Sequence, residues 1–367
     1  MEKSYEIEKK LLVLLSRVTF SSSDVEEINT LLKENISWCE LFKYAMHNKV
    51  VSLIWTNLNY FNAKHIPKYI KNLMNCIYTG TKIQNGLYIE QKERIVEALK
   101  DEHITLIPVK GAMLIDMIYK DRGTRALGDL DFLIKKAEEK KIEQVIKKIG
   151  FMKATYDIQN RKLIPVDRKE DIAWKLGATN VYPYLKLSSS EYIPFFKIDF
   201  RHSFDDSHNS EPISEIIDYY ENHGMVNANH IVVYMSLHLY HESTHSMSVL
   251  YNKDINIIKF CDIREYILYN QHLGLLHNEE IVAYAFKHNL LSPLYYTLFY
   301  LKLIYNDGYE DNILEKIHME NTAFLNEYYD DKEKNIKMWN KTFMERLYAS
   351  DNYDELNEIS FEMNKTF

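Results

Sequence analysis

The sequence predicts an α+β fold in which a small mixed β-sheet is flanked by helical regions at both ends. Three patterns carry that expectation. Apolar residues recur at helical spacing from Tyr5 to Glu102. From His103 to about Phe204, short β-rich runs alternate with helical ones. Beyond Ser210 the spacing is helical again, and it is expected to stay so to the end of the chain. A chain of 367 residues exceeds the usual size of one hydrophobic core. The division expected is a helical region over 1–100, a sheet-bearing core over 101–205 and a second helical region over 206–367.

In the first region, Ser37-Trp38-Cys39-Glu40 has the pattern of a capping box, in which a hydroxyl and a carboxylate satisfy backbone amides at a helix start. Pro67 suits the first turn of the next helix, where its missing N–H is not needed. His103 to Val109 reads as a strand, Lys110-Gly111 as a turn and Ala112 to Tyr119 as a helix. A second strand is expected over Asp129 to Ile134. A helix follows from about Ala137 to Ile149, closed by Gly150, whose backbone accepts the left-handed conformation of a helix end. A third strand is expected near Phe151 to Tyr156, and a further one over Phe195 to Arg201. The stretch between them, Asp157 to Pro194, is mixed, with a β-like piece over Tyr182 to Leu187.

Composition narrows the classes of function. The chain is 46% hydrophobic and 27% charged, as in ordinary globular proteins. Its 28 Tyr and only 10 Gly fit a compositional bias of the coding genome better than a binding role. A formal net charge of -8 disfavours a protein whose affinity comes from neutralising many phosphates of a long nucleic acid. Cys39, Cys76 and Cys261 have no paired spacing, which suggests free thiols and no thiolate metal site. No apolar run is long enough to span a bilayer and the start has no leader pattern, so a cytoplasmic location is expected.

The chemistry is concentrated in carboxylates. Side chains alternate along a strand, so Asp129 and Asp131 project from one face while Leu130, Phe132 and Ile134 project from the other. The same alternation puts Lys197, Asp199 and Arg201 together, opposite Phe196, Ile198 and Phe200. Neighbouring carboxylates repel one another unless a cation sits between them, and hard oxygen ligands suit Mg²⁺ (or Mn²⁺). Three carboxylates around such ions are what phosphoryl-type transfer needs. Lys110, the Gly111 turn, Arg122 and Arg125 would lie beside the phosphates. An Asp-x-Asp pair by itself is common at solvated strand ends. Its setting here, after a strand, glycine turn and helix and before a second acidic strand, favours the catalytic reading.

Lys110-Gly111, the helix through Tyr119, Arg125 and Gly128-Asp129-Leu130-Asp131 together resemble an uncharacterised bacterial nucleotidyltransferase family of the polymerase-beta-like superfamily. The resemblance extends upstream to Trp38-x-x-Leu41 and downstream to His238 and Asp262-Ile263. It implies a nucleotidyltransferase core in which Asp129, Asp131 and Asp199 are the catalytic, metal-binding aspartates, with Gly128 joining Lys110, Gly111, Arg122 and Arg125 at the nucleotide. It implies transfer of a nucleoside monophosphate, expected to be AMP, from an NTP to a small-molecule or polypeptide acceptor. Two departures stand out: the superfamily usually has Ser where this chain has Ala112, and Arg201 rather than His lies two positions after Asp199.

Two other readings belong beside this one. His241-Glu242-Ser243-Thr244-His245 fits the H-E-x-x-H pattern of zinc hydrolases, with His238 one turn earlier and Glu265 as a conceivable third ligand. Ser243 and Thr244 disfavour the continuous helix that this pattern needs. The absent hydroxyl at Ala112 would suit a catalytically idle nucleotide-binding or interaction module, but retaining three mutually repelling carboxylates has no physical use there.

Overall fold

The computed structural model of the chain describes residues 5–177, 180–204, 209–349 and 352–356. The expected 205/206 boundary and the last stretch of the C-terminal region, 357–367, lie outside the described residues. The chain forms two compact units, one of Met1–Met74 with Val232–Phe367 and one of Asn75–Ile231.

Five helices open the chain: α1 (Glu6–Leu15), α2 (Ser22–Leu31), α3 (Trp38–His47), α4 (Val51–Tyr60) and α5 (Lys68–Lys100). Ser37 stands before α3 as expected, but Glu40 does not complete a capping box. The Ser37 amide is taken by Glu8 Oε1 at 2.5 Å, and Glu40 pairs with Lys43 at 2.7 Å. A carboxylate from α1 thus outcompetes the local one, which sequence spacing could not reveal. Ser21 with Asp24 forms a complete box instead.

The second unit holds β1 (Ile107–Val109), α6 (Gly111–Met117), β2 (Leu130–Leu133), α7 (Glu139–Lys148), β3 (Met152–Asp157), β4 (Lys162–Pro165), α8 (Arg168–Gly177), β5 (Tyr184–Leu187), β6 (Phe195–Arg201) and α9 (Glu211–His223). Its six strands run in the order β1-β2-β6-β5-β3-β4. Only the β2–β6 pair is parallel. The sheet is therefore mixed, and the fold is α+β as the patterning indicated.

β1 is shorter than the expected 103–109 run, because the end of α5 consumes its first residues. His103 takes a positive φ of 56°, and the amides of His103 and Ile104 bond back to Lys100 and Leu99. β2 likewise begins at Leu130, leaving Asp129 just before the strand. β6 spans the expected residues, with Phe196, Ile198 and Phe200 buried. Phe200 stacks on Phe132 of β2 with ring centroids 5.9 Å apart. Each such ring stabilises the fold by roughly 1.5–3 kcal/mol on burial. α7 buries Ile142, Val145 and Ile146, and Gly150 follows it with φ 93°. The third expected strand forms as β3, and the mixed stretch after it resolves into β4, paired back on β3, then α8 and β5.

The chain re-enters the first unit within α10 (Ala228–Thr244) and continues with α11 (Ser246–Leu250), α12 (Ile257–His272), α13 (Asn278–Lys287), α14 (Leu291–Ile304), α15 (Tyr309–Leu314), β7 (Glu327–Asp330), β8 (Asn335–Met338) and α16 (Phe343–Tyr348). The expectation of helix throughout this region fails at β7–β8, an antiparallel hairpin. Tyr328 and Trp339 stack on one side of it at 4.1 Å and are buried with Val249 and Leu356. Deeper in this unit Arg17 pairs with Asp24 and Asp307, and Arg264 with Asp307 and Glu265. Among the described residues, no helix is long and apolar enough to cross a membrane. Cys39, Cys76 and Cys261 form no disulfide.

Candidate functional site

Parallel pairing of β2 with β6 sets Asp131 directly opposite Asp199, and on its other side Asp131 faces Val109 of β1. Residues opposite in register project from the same face of a sheet. Two carboxylates are therefore held side by side on neighbouring strands, each with 14% of its side chain exposed. Asp129, just before β2 and 37% exposed, reaches the same place. One ammonium shows this: Lys197 Nζ lies 2.6 Å from Asp199 Oδ2 and 3.3 Å from Asp129 Oδ2. A second ammonium, Lys110 Nζ, lies 2.6 Å from Asp131 Oδ1. The structure thus brings together all three aspartates that the sequence singled out.

Burial and charge act against each other here. Burial pushes the Asp131 carboxyl up to about 6, with Lys110 pulling it down and Asp129 and Asp199 pushing it further up. Burial would lower the Lys197 ammonium, but Asp199 and Asp129 hold it above the usual lysine range. Asp199 keeps one oxygen, Oδ1, buried and without a hydrogen-bond partner. Among the described residues no three His, Cys, Asp or Glu side chains are arranged to hold a metal ion. The physical reason lies in the pairs just given: the carboxylates turn towards two lysines. The donor set is nonetheless all carboxylate oxygen, and the orphaned Asp199 Oδ1 fits a hard cation.

The glycine turn lies at the edge of this site. Lys110 precedes α6 with φ 50° and ψ -132°, a conformation that side-chain-bearing residues rarely adopt. Gly111 permits a close approach: a Cβ there would overlap the Arg125 guanidinium and stand 2.9 Å from Leu127 Cδ2, so that both side chains would have to shift. Arg125 thus packs over the turn, and its Nη1 donates to Ala126 O at 2.9 Å. Arg122 is exposed, and a Cβ at Gly128 would meet open space. Of the expected phosphate side, Lys110 contacts Asp131, Gly128 directly precedes Asp129 and Arg125 packs on Gly111, while Arg122 is exposed on the same loop.

Sequence reasoning missed what holds this loop. Asn85 of α5 is fully buried, and its Nδ2 donates to the carbonyls of Arg122 at 2.5 Å and Arg125 at 2.7 Å while its Oδ1 accepts from Leu127 N at 2.9 Å. Tyr88, one turn along, donates to Gly128 O at 2.8 Å, and burial pushes its phenol up to about 12. Tyr78 donates to Asp121 at 2.6 Å. A run of Asn and Tyr along one helix was the available signal, but it looks like a solvated helix face until the loop is seen beside it. Lys197 was legible as a neighbour of Asp199 by alternation, but its bridging role was not.

The His241–His245 segment does not form a zinc-hydrolase helix. α10 ends at Thr244, and His245 stands in an extended conformation before α11. Glu242, which would have to act as base, pairs with Lys259 at 2.7 Å and His238 at 3.3 Å. Asp331 lies 3.4 Å from His245 Nδ1. Glu265, the conceivable third ligand, accepts the amides of Val18 and Thr19.

A family model described as uncharacterised nucleotidyltransferase matches residues 34–306, well over half of the 367-residue chain. No curated protein and no solved structure matches. The matched span contains every strand of the six-stranded sheet and all three aspartates. The chain is an enzyme of the uncharacterised nucleotidyltransferase family.

Proposed function

We propose that the protein transfers a nucleoside monophosphate, with AMP the leading candidate, from an NTP to a hydroxyl of a small-molecule or polypeptide acceptor. The observation that carries this reading is the in-register pair Asp131–Asp199 on adjacent parallel strands, with Asp129 reaching the same point. Asp129, Asp131 and Asp199 would hold Mg²⁺ or Mn²⁺ through carboxylate oxygens. Bound there, the cation would supply charge stabilisation for the triphosphate and lower the pKa of the attacking hydroxyl.

The chain's own groups do the rest. Arg125 and Arg122 offer guanidinium forks at the loop, suited to phosphate oxygens, and Gly111 lets the Arg125 fork lie flat against the turn. Gly128 leaves the approach to Asp129 open. Asp199 would orient the acceptor hydroxyl beside the cation, and the hydroxyl proton passes to solvent as the oxygen attacks the α-phosphorus. The bond from that phosphorus to the bridging oxygen breaks, and pyrophosphate leaves. The overall negative charge of the chain favours a compact acceptor over long nucleic acid, and the reading places the reaction in the cytoplasm.

Incubation of the pure protein with each labelled NTP, Mg²⁺ and candidate acceptors tests this directly. Pyrophosphate release with label on the acceptor, lost in Asp129→Asn, is expected. Equal release by that variant would overturn the reading.

A further inference from the structure

We propose that Lys197 is a positioning residue that acts as an internal placeholder for the metal: its ammonium bridges Asp129 and Asp199 before the cation arrives and gives way when it binds. The inference rests on the proposed function and adds to it a residue and a competition. Three carboxylates meet at the site against two ammonium groups, Lys110 and Lys197. Lys110 contacts Asp131, whereas Lys197 touches carboxylates from both sides of the site.

The fold dictates that bridge. Lys197 is two residues before Asp199 on β6, so it projects from the same face. It is opposite Leu185 of β5, while Asp199 is opposite Asp131 of β2, which leaves the ammonium beside the carboxylates with 27% of its side chain exposed. An ordinary strand lysine extends its tip into water, whereas this one returns to two acids. Without it, two partly buried carboxylates would face one another uncompensated, which is strongly unfavourable. The same contacts make it a rival for any cation seeking those oxygens. Asp199 Oδ1, free of hydrogen bonds, is where an incoming ion would gain its first hold.

The test compares the full-length wild type with Lys197→Met and Lys197→Arg, reading thermal melts without metal and Mn²⁺ binding without nucleotide. A placeholder predicts that Lys197→Met melts lower than wild type without metal, binds Mn²⁺ about tenfold more tightly and regains wild-type stability at saturating Mn²⁺. Lys197→Arg, which keeps the charge, should behave like wild type or bind Mn²⁺ more weakly. A purely structural lysine would weaken Mn²⁺ binding when removed. Weaker or unchanged Mn²⁺ affinity in Lys197→Met therefore overturns the placeholder, and Lys197→Arg binding as tightly as Lys197→Met does the same if the methionine variant folds poorly. If Mn²⁺ binds wild type but is lost in Asp199→Asn, the functional reading stands whatever Lys197 does; if no variant binds Mn²⁺, both fall.

Discussion

Asp131 is the residue where folding and chemistry pull apart most clearly. Its folded pKa of about 6 lies above the ordinary carboxylate value of about 3.9, so ionisation works against the metal-free fold. The contribution is present at low pH and is lost as pH rises from about 4 through 6. Asp131→Asn should therefore melt close to wild type at pH 4 but higher at pH 7 without metal, by up to about 3 kcal/mol. The same variant, and Asp129→Asn, should lose transfer. A melt of Asp131→Asn that tracks wild type across this range would show that burial is not straining the carboxylate. Arg125 makes a complementary case: Arg125→Ala should weaken NTP binding by about 1.5–3 kcal/mol with little loss of fold, because the residue stands half-buried in a loop and its guanidinium donates to the adjacent Ala126 carbonyl. Calorimetric titration with a non-hydrolysable NTP reads this, and unchanged affinity would remove Arg125 from the phosphate site.

At the scale of elements, α5 supports the loop that carries Arg122, Arg125 and Gly128. Asn85→Ala would orphan the Leu127 amide and two carbonyls in a buried place, at a cost of about 2–3 kcal/mol. The loop should loosen before the sheet does. Lower stability with a raised KM for NTP is expected, and a stability loss with unchanged KM would mean the loop does not touch the nucleotide. Gly111→Ala should act on the same loop from the other side by displacing Arg125. The legibility of these elements was uneven for a physical reason. β6 and the glycine-closed α7 could be read because one strand's alternation or one helix's face decides them locally. The shortened β1, the Glu8 cap on Ser37 and the β7–β8 hairpin could not, because each is decided by a partner distant in sequence.

For the whole molecule, ligand binding should be felt unevenly. If Mg²⁺ and NTP bind at the aspartates, hydrogen exchange should slow in 107–133 and 195–201, with stabilisation of about 2.7 kcal/mol at a ligand concentration a hundredfold above Kd. Protection centred instead on 238–250, accompanied by stoichiometric zinc that His241→Ala removes, would reopen the hydrolase reading. The sequence by itself determined the α+β class, the helical character of the region before the sheet, the two acidic strands and which faces their side chains share, since alternation and periodicity are local consequences of backbone geometry. Only the tertiary structure decided that β2 and β6 are parallel neighbours, that Asp131 and Asp199 stand in register, and that Lys110 and Lys197 neutralise them. Register and long-range pairing depend on which buried faces fit together, and no single segment carries that information.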